Sequence, residues 1–169
     1  MVKSGAKWID VAHFSCAMPS VSTNSVFYAG EFRHQIDDKN RVTIPSRWRR
    51  NNAGEDLIMV PEPNGQFLLV MPPDEFEKIG AVAESLPGLA KSDVRIFLRR
   101  LHAQAQHGSF DKQGRLLLPD DFCRELELKR EVALVGGRGR FEIWNLARRQ
   151  RAHADEHPTY QAIANMVGL

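Results

Sequence analysis

One ten-residue string is written twice in this chain of 169 residues. Ile36-Asp37-Asp38-Lys39-Asn40-Arg41-Val42-Thr43-Ile44-Pro45 returns 74 positions later as Phe110-Asp111-Lys112-Gln113-Gly114-Arg115-Leu116-Leu117-Leu118-Pro119. The same offset carries Trp48 onto Phe122, Arg50 onto Arg124, and Gly65-Gln66-Phe67 onto Gly139-Arg140-Phe141. A repeat of this period is an architectural constraint. Two copies are too few for a solenoid, so each copy reads as a half-domain that the other completes. Four short strands and one helical turn bury too little apolar surface to offset roughly 1–2 kcal/mol of ordering entropy per residue. The halves are therefore expected to interdigitate into one small β-barrel with longer helices outside it, an α+β fold.

Each copy has the same grammar. A strand over Tyr28–Ile36 runs into the turn Asp37–Asn40 and leaves as a strand over Arg41–Ile44. Asn40 and Gly114 suit such a turn because both tolerate positive φ. Pro45 opens a short helix, with Trp48 as its buried anchor and Arg47, Arg49 and Arg50 facing outward. A hairpin follows, Leu57–Val60 and Phe67–Met71 around Pro63-Asn64-Gly65, matched in the second copy by Val132–Val135 and Phe141–Trp144 around Gly136–Gly139. Between the copies, Pro73–Ser85 and Ser92–Gln106 read as amphipathic helices. Phe76 and Ile79 face inward on the first, and Val94, Phe97, Leu98 and Leu101 form a stripe on the second that is core or subunit interface. A last helix spans Leu146–Glu156, with His157-Pro158 as punctuation and another turn or two expected over Thr159–Val167. The expected divisions are 1–25, a disordered extension or an over-long start; 26–72, the first repeat; 73–104, linking helices; 105–148, the second repeat; and 149–169, a C-terminal helical segment.

Charge is distributed unevenly although the net value is only +2. Glu31–Arg50 holds six Lys/Arg against three Asp/Glu, whereas Ala105–Arg124 holds three of each. An anion-binding face is thus expected to lean on the first copy. The two cysteines, Cys16 and Cys123, exclude a disulfide framework and fit reduced thiols in the cytosol. The apolar runs are too short to span a membrane, and no clean cleavage site follows the weak apolar patch Val11–Met18.

Two readings of the repeated loop are open on spacing alone. In the first, Asp37 accepts backbone N–H bonds in its turn and Arg41 folds back onto it, a local brace worth under about 1 kcal/mol. In the second, Asp37 shapes the turn while Lys39 and Arg41 project toward phosphates or base edges, for which the planar guanidinium fork is suited.

Phe27-Tyr28-Ala29-Gly30-Glu31-Phe32 followed by the first loop resembles the start of the MraZ family, bacterial transcription regulators of the AbrB-like swapped-hairpin superfamily. The second Asp-x-x-x-Arg string, Val135-Gly136 and Phe141-Glu142-Ile143-Trp144 resemble later family motifs, so the likeness runs from about Val26 to at least Trp144. It implies two tandem AbrB-like repeats in one pseudo-symmetric swapped-hairpin barrel, assembled as a ring homo-oligomer. It also implies binding to direct repeats in double-stranded promoter DNA, as a repressor of the division and cell-wall gene cluster, in the cytoplasm at the nucleoid. By motif position Lys39 and Arg41 are the leading DNA contacts, Arg115 is the second-copy equivalent, and Asp37 and Asp111 shape their loops. Arg33 and Arg47 are further DNA-binding candidates on local charge. Three departures stand out: the extension 1–25, Asn40 where glycine is common, and Asp120-Asp121, whose charge opposes phosphate contact by the second copy.

Other chemistry is poorly represented. Gly136-Gly137-Arg138-Gly139-Arg140 lacks the lysine and following helix of a phosphate-binding loop and reads as a hairpin turn. His153 and His157 lack a third metal ligand. No nucleophile–base or paired-carboxylate arrangement stands out, so no enzyme is expected, and the resemblance implies no small-molecule cofactor. The alternative function is an antitoxin-like protein-interaction module on the same barrel. The short segment after the second hairpin favours self-assembly over that alternative.

Overall fold

A computed structural model describes residues 27–49 and 54–169. The expectations for residues 1–25, Cys16 and Arg50 lie outside the described residues. In chain order the first repeat forms β1 (Glu31–Gln35), β2 (Arg41–Thr43), a 3₁₀ turn at Ser46–Trp48, β3 (Asp56–Pro61) and β4 (Phe67–Met71). Helices α1 (Pro73–Ser85) and α2 (Lys91–Gln104) lead to β5 (Gln106–Ser109), β6 (Arg115–Leu117), α3 (Asp120–Glu125), β7 (Glu131–Gly136), β8 (Phe141–Asn145) and α4 (Leu146–Val167).

The halves exchange strands. The main sheet runs β1-β7-β8-β4-β3-β5, a palindrome in which each half's first strand pairs with the other half's hairpin. All of its ladders are antiparallel. The centre of the palindrome is the β4–β8 ladder, where Leu68 faces Ile143 and Leu69 faces Glu142. A separate ribbon joins β2 to β6 and pairs Val42 with Leu116, its own counterpart in the repeat. Half-domains this small gain their core only by such mutual completion.

Hydrogen bonding does not close these strands into the expected barrel. The six-stranded sheet is open, and the β2–β6 ribbon meets it through the isolated bridges Ile36–Val42 and Phe110–Leu116. One apolar cluster nevertheless joins the two: Val42 and Leu116 from the ribbon pack with Leu57, Met59, Leu68, Val70, Val132, Leu134, Phe141 and Ile143 from the sheet. Trp48 is buried as expected, with its ring 5.3 Å from that of Phe141 and its Nε1 donating to the Ala29 carbonyl at 3.1 Å.

The 74-residue offset aligns the loops but misaligns the hairpins. The β3–β4 and β7–β8 ladders end at Pro61–Leu68 and Gly136–Phe141, which leaves residues 62–67 between the last pair in the first hairpin and only 137–140 in the second. Side chains alternate faces along a strand, so this difference changes which residues face the core. Phe141 is fully buried, whereas Phe67 lies outside that cluster and stacks on Trp144 at 4.3 Å.

The linking helices pack on the other face of β3. Ile58, Val60 and Met71 meet Phe76 there, with Ile79 and Leu101 alongside. Helix α2 buries none of its residues fully, and Phe97 of its apolar stripe is 42% exposed. The C-terminal segment corrects an expectation: α4 runs unbroken through Pro158 to Val167 and ends on Gly168 at φ 81°. Proline's φ suits a helix, and the interior bond it forfeits belongs to the carbonyl of Ala154, an exposed residue that water can reach. The Asn145 side chain caps the start, accepting from Ala147 N at 3.0 Å and Arg148 N at 3.2 Å. Arg149 ties the first turns to the sheet by pairing with Glu31 at 3.0 Å, and it also pairs with Glu156 at 3.0 Å.

Candidate nucleic-acid interface

The two repeated loops are built alike, bond for bond. In the first, Asp37 Oδ1 accepts from the N–H of Lys39 and of Arg41, both at 2.9 Å, while Arg41 Nε donates to Oδ2 at 2.7 Å. In the second, Asp111 Oδ1 accepts from Gln113 N and Arg115 N at 2.9 Å, and Arg115 Nε donates to Oδ2 at 2.8 Å. Backbone bonds close each turn: Asp37 N donates to the Arg41 carbonyl, and Asp111 N to that of Arg115. Asn40 at φ 55° and Gly114 at φ 74° occupy equivalent left-handed positions. An aspartate four residues before an arginine supplies such a brace because its short carboxylate reaches two successive amides and the guanidinium together.

Strand exchange sets the loops side by side. Leu118 N donates to the Asn40 carbonyl at 2.8 Å, and Ile44 N donates reciprocally to the Gly114 carbonyl at 3.0 Å. Arg115 Nη1 lies 3.8 Å from Asp37 Oδ2, so the second loop's cation also touches the first loop's carboxylate. These contacts depress the acids. The side chain of Arg41, followed by its backbone N–H, holds Asp37 down to about 2. The backbone N–H of Arg115 is the largest influence lowering Asp111.

The local brace is therefore the arrangement that Arg41 and Arg115 adopt, each side chain being 28% exposed. Lys39, in contrast, stands exposed at the tip of the first loop, as does Lys112 in the second. Arg33 and Arg47 are not gathered with them. Arg33 lines a cleft with Glu31, Arg149 and His153 beside α4, whereas Arg47 lies 5.4 Å over the ring of Phe32. No hydrogen bond or ion pair joins either residue to the loops among the described residues.

Two neighbours of the loops follow only from the exchange. Asp120 of the second half accepts a hydrogen bond from Asn40 Nδ2 of the first. The guanidinium of Arg49, from the first half, lies where a Cβ on Gly114 would stand, with Nε 2.8 Å from that point. Neither contact is local in sequence; the repeat itself was the available signal, once read as mutual completion.

The other candidate features are structural. Gly136–Gly139 joins the end of β7 to β8 in a hairpin turn, and the Gly136 N–H donates to the Gly30 carbonyl. The rings of His153 and His157 stack 6.4 Å apart. Cys123 is buried, and burial raises its thiol to about 11. Among the described residues, no group of three or more His, Cys, Asp and Glu could hold a metal ion, and no helix is long and apolar enough to cross a membrane.

Exchanged first strands, a palindromic sheet and twin aspartate-braced loops define a class of tandem-repeat α+β proteins. A family model described as "MraZ protein, putative antitoxin-like" matches residues 27–100 and again residues 101–167. The chain belongs to the MraZ family. It is 33% identical to a transcriptional regulator MraZ of Desulforamulus reducens over 84% of this chain and 99% of that protein. A transcriptional regulator MraZ of Caldicellulosiruptor saccharolyticus is 36% identical over 82% of this chain and 94% of its own length. One from Acetivibrio thermocellus is 33% identical over 85% and 98%.

Proposed function

We propose that this protein is a sequence-specific DNA-binding transcription regulator that uses its paired loops as the contact surface. The observation that carries this reading is the 3.8 Å approach of Arg115 to Asp37, which holds two independently braced loops at one place. A loop fixed by its own aspartate loses little conformational freedom on binding, so its contacts are not spent on ordering it. Lys39 offers a phosphate contact at the tip. Arg41 commits Nε and Nη2 to Asp37, and the N–H groups of its Nη1 serve a phosphate or a base edge. Arg115 is the second-half counterpart, and Arg33 and Arg47 act as flanking charges. The names of the relatives support regulation of transcription.

The finer reading is a repressor of the division and cell-wall gene cluster, working in the cytoplasm at the nucleoid without catalysis or cofactor. Copies assemble as a ring, with α2's half-exposed stripe at the subunit contacts. The strands and ribbon of each copy act together as the family's pseudo-barrel. Several loop pairs then engage direct repeats in promoter DNA, and weak contacts add through effective concentration. A gel shift of the purified protein with its own upstream duplex, against a shuffled duplex of equal composition at two salt concentrations, tests this. Preferential, salt-weakened binding is expected; equal affinity for both duplexes contradicts sequence-specific regulation.

One observation favours a second reading, the antitoxin-like interaction module. Helix α4 continues without a break to Val167 and exposes Tyr160, Ile163 and Met166. Removing the chain after Glu156 separates the two: a DNA regulator acting through its loops keeps operator contact per subunit, and a partner-binding module loses its partner.

A further inference from the structure

Strand exchange relocates charge as well as strands. The Asp120-Asp121 helix belongs to the second half, yet Asp120 bonds Asn40 of the first loop. That loop also carries the exposed Asp38. The cleft beside it is lined by Asn40, Asp120, Cys123, Arg124 and Lys129, and Arg124 is already engaged by Asp121. On the pseudo-symmetric side, the offset of 74 puts Ser46 in place of Asp120 and Arg49 in place of Cys123. The second loop therefore meets a guanidinium where the first meets a carboxylate and a thiol. Its own tip adds Lys112, and its one acid, Asp111, is committed to Arg115.

Arg49 is held in an unusual way. Its guanidinium rests against Gly114, and its Nε is buried without a hydrogen-bond partner. No carboxylate pairs with it among the described residues. Arg49 belongs to the basic stretch of the first copy, yet it lies against the loop of the other half.

We propose that Arg49 is a phosphate-contacting residue of the second loop, and that Arg49, Lys112 and Arg115 together make that loop the stronger grip on the DNA backbone. This rests on the DNA-binding reading above. Phosphate contacts of this kind are sequence-independent and are read out in the salt dependence of binding.

The test is fluorescence anisotropy of the full chain with its own upstream duplex over a salt series, for the wild type, Arg49→Ala, Arg49→Lys and Lys39→Ala. Arg49→Ala is expected to weaken binding by about tenfold or more and to reduce the slope of log affinity against log salt by about 0.9 per engaged subunit. Arg49→Lys should recover most of the slope, and Lys39→Ala should lose less affinity than Arg49→Ala. Far-UV circular dichroism and the urea midpoint report folding. Wild-type slope and affinity in a folded Arg49→Ala protein overturn the assignment while leaving the DNA reading standing. So do equal losses in Arg49→Ala and Arg49→Lys accompanied by a lowered urea midpoint. Absence of wild-type binding at every salt concentration overturns the DNA reading and this inference with it.

Discussion

Val42 and Leu116 face each other across the β2–β6 ribbon, fully buried, each meeting its own counterpart from the other half. The pair sits on the pseudo-symmetry axis, directly behind the two loops. Truncating either side chain leaves a cavity shared by both halves. Leu116→Ala is expected to destabilise the protein by about 2–5 kcal/mol. Urea denaturation followed by circular dichroism and by tryptophan emission should show one shifted transition with both probes. Two separated transitions would mean that the halves fold independently.

The unequal hairpin turns make a second prediction. Phe141 is enclosed by Tyr28 and Trp48, with ring centres at 5.2 and 5.3 Å, whereas Phe67 only stacks on Trp144 outside that cluster. Phe141→Ala should cost about 3–5 kcal/mol, and Phe67→Ala clearly less. Equal losses in denaturant midpoint would restore the simple 74-residue equivalence of the two phenylalanines.

Acid should release the first loop late. The Arg41 side chain and backbone hold Asp37 at about 2, below its ordinary 3.8. A carboxyl depressed in the folded state contributes stability above its ordinary value and loses it as pH falls through its folded value. The brace is therefore intact at neutral pH and given up between about pH 4 and pH 2. Carbon-detected NMR of the Asp37 carboxyl should show a midpoint near 2, with the Lys39 and Arg41 amide shifts moving in step. A midpoint at the ordinary value would mean that the carboxylate is unbraced in solution.

The left-handed positions of the two loops should respond differently to mutation. Gly114→Ala adds a methyl at φ 74° that overlaps Arg49, and the backbone term alone costs roughly 1–2 kcal/mol. Asn40→Gly relieves the equivalent position and loses only the exposed bond to Asp120, a change of within about 1 kcal/mol. Melting temperatures of the two variants check the order; a more damaging Asn40→Gly would contradict the loop geometry.

Much of the architecture was legible because it is periodic. The double Asp-x-x-x-Arg string located both turns, and the alternating and helical patterns found the eight strands' neighbourhoods and helices α1 and α2. The brace itself was among the readings open on spacing, since Asp37 and Arg41 are local partners. What escaped depends on contacts across the repeat. The place of Arg49 against Gly114 of the other half escaped, because a segment's charge says nothing about which half its side chains will meet. The hairpin faces escaped because a two-residue change in turn length is invisible when Gly65 and Gly139 align so well. The continuity of α4 escaped because Pro158 reads as a breaker, although in an exposed helix the forfeited carbonyl bond passes to water.

Hydrogen–deuterium exchange of the full chain, with and without its own upstream duplex, tests whether the exchanged halves present their two braced loops together as one nucleic-acid surface. Bound DNA is expected to slow exchange in Asp37–Arg41 and Asp111–Arg115 together, more strongly in the second, with α4 unaffected by DNA contact. Protection confined to α4 or to the linking helices, with both loops unchanged, would contradict it.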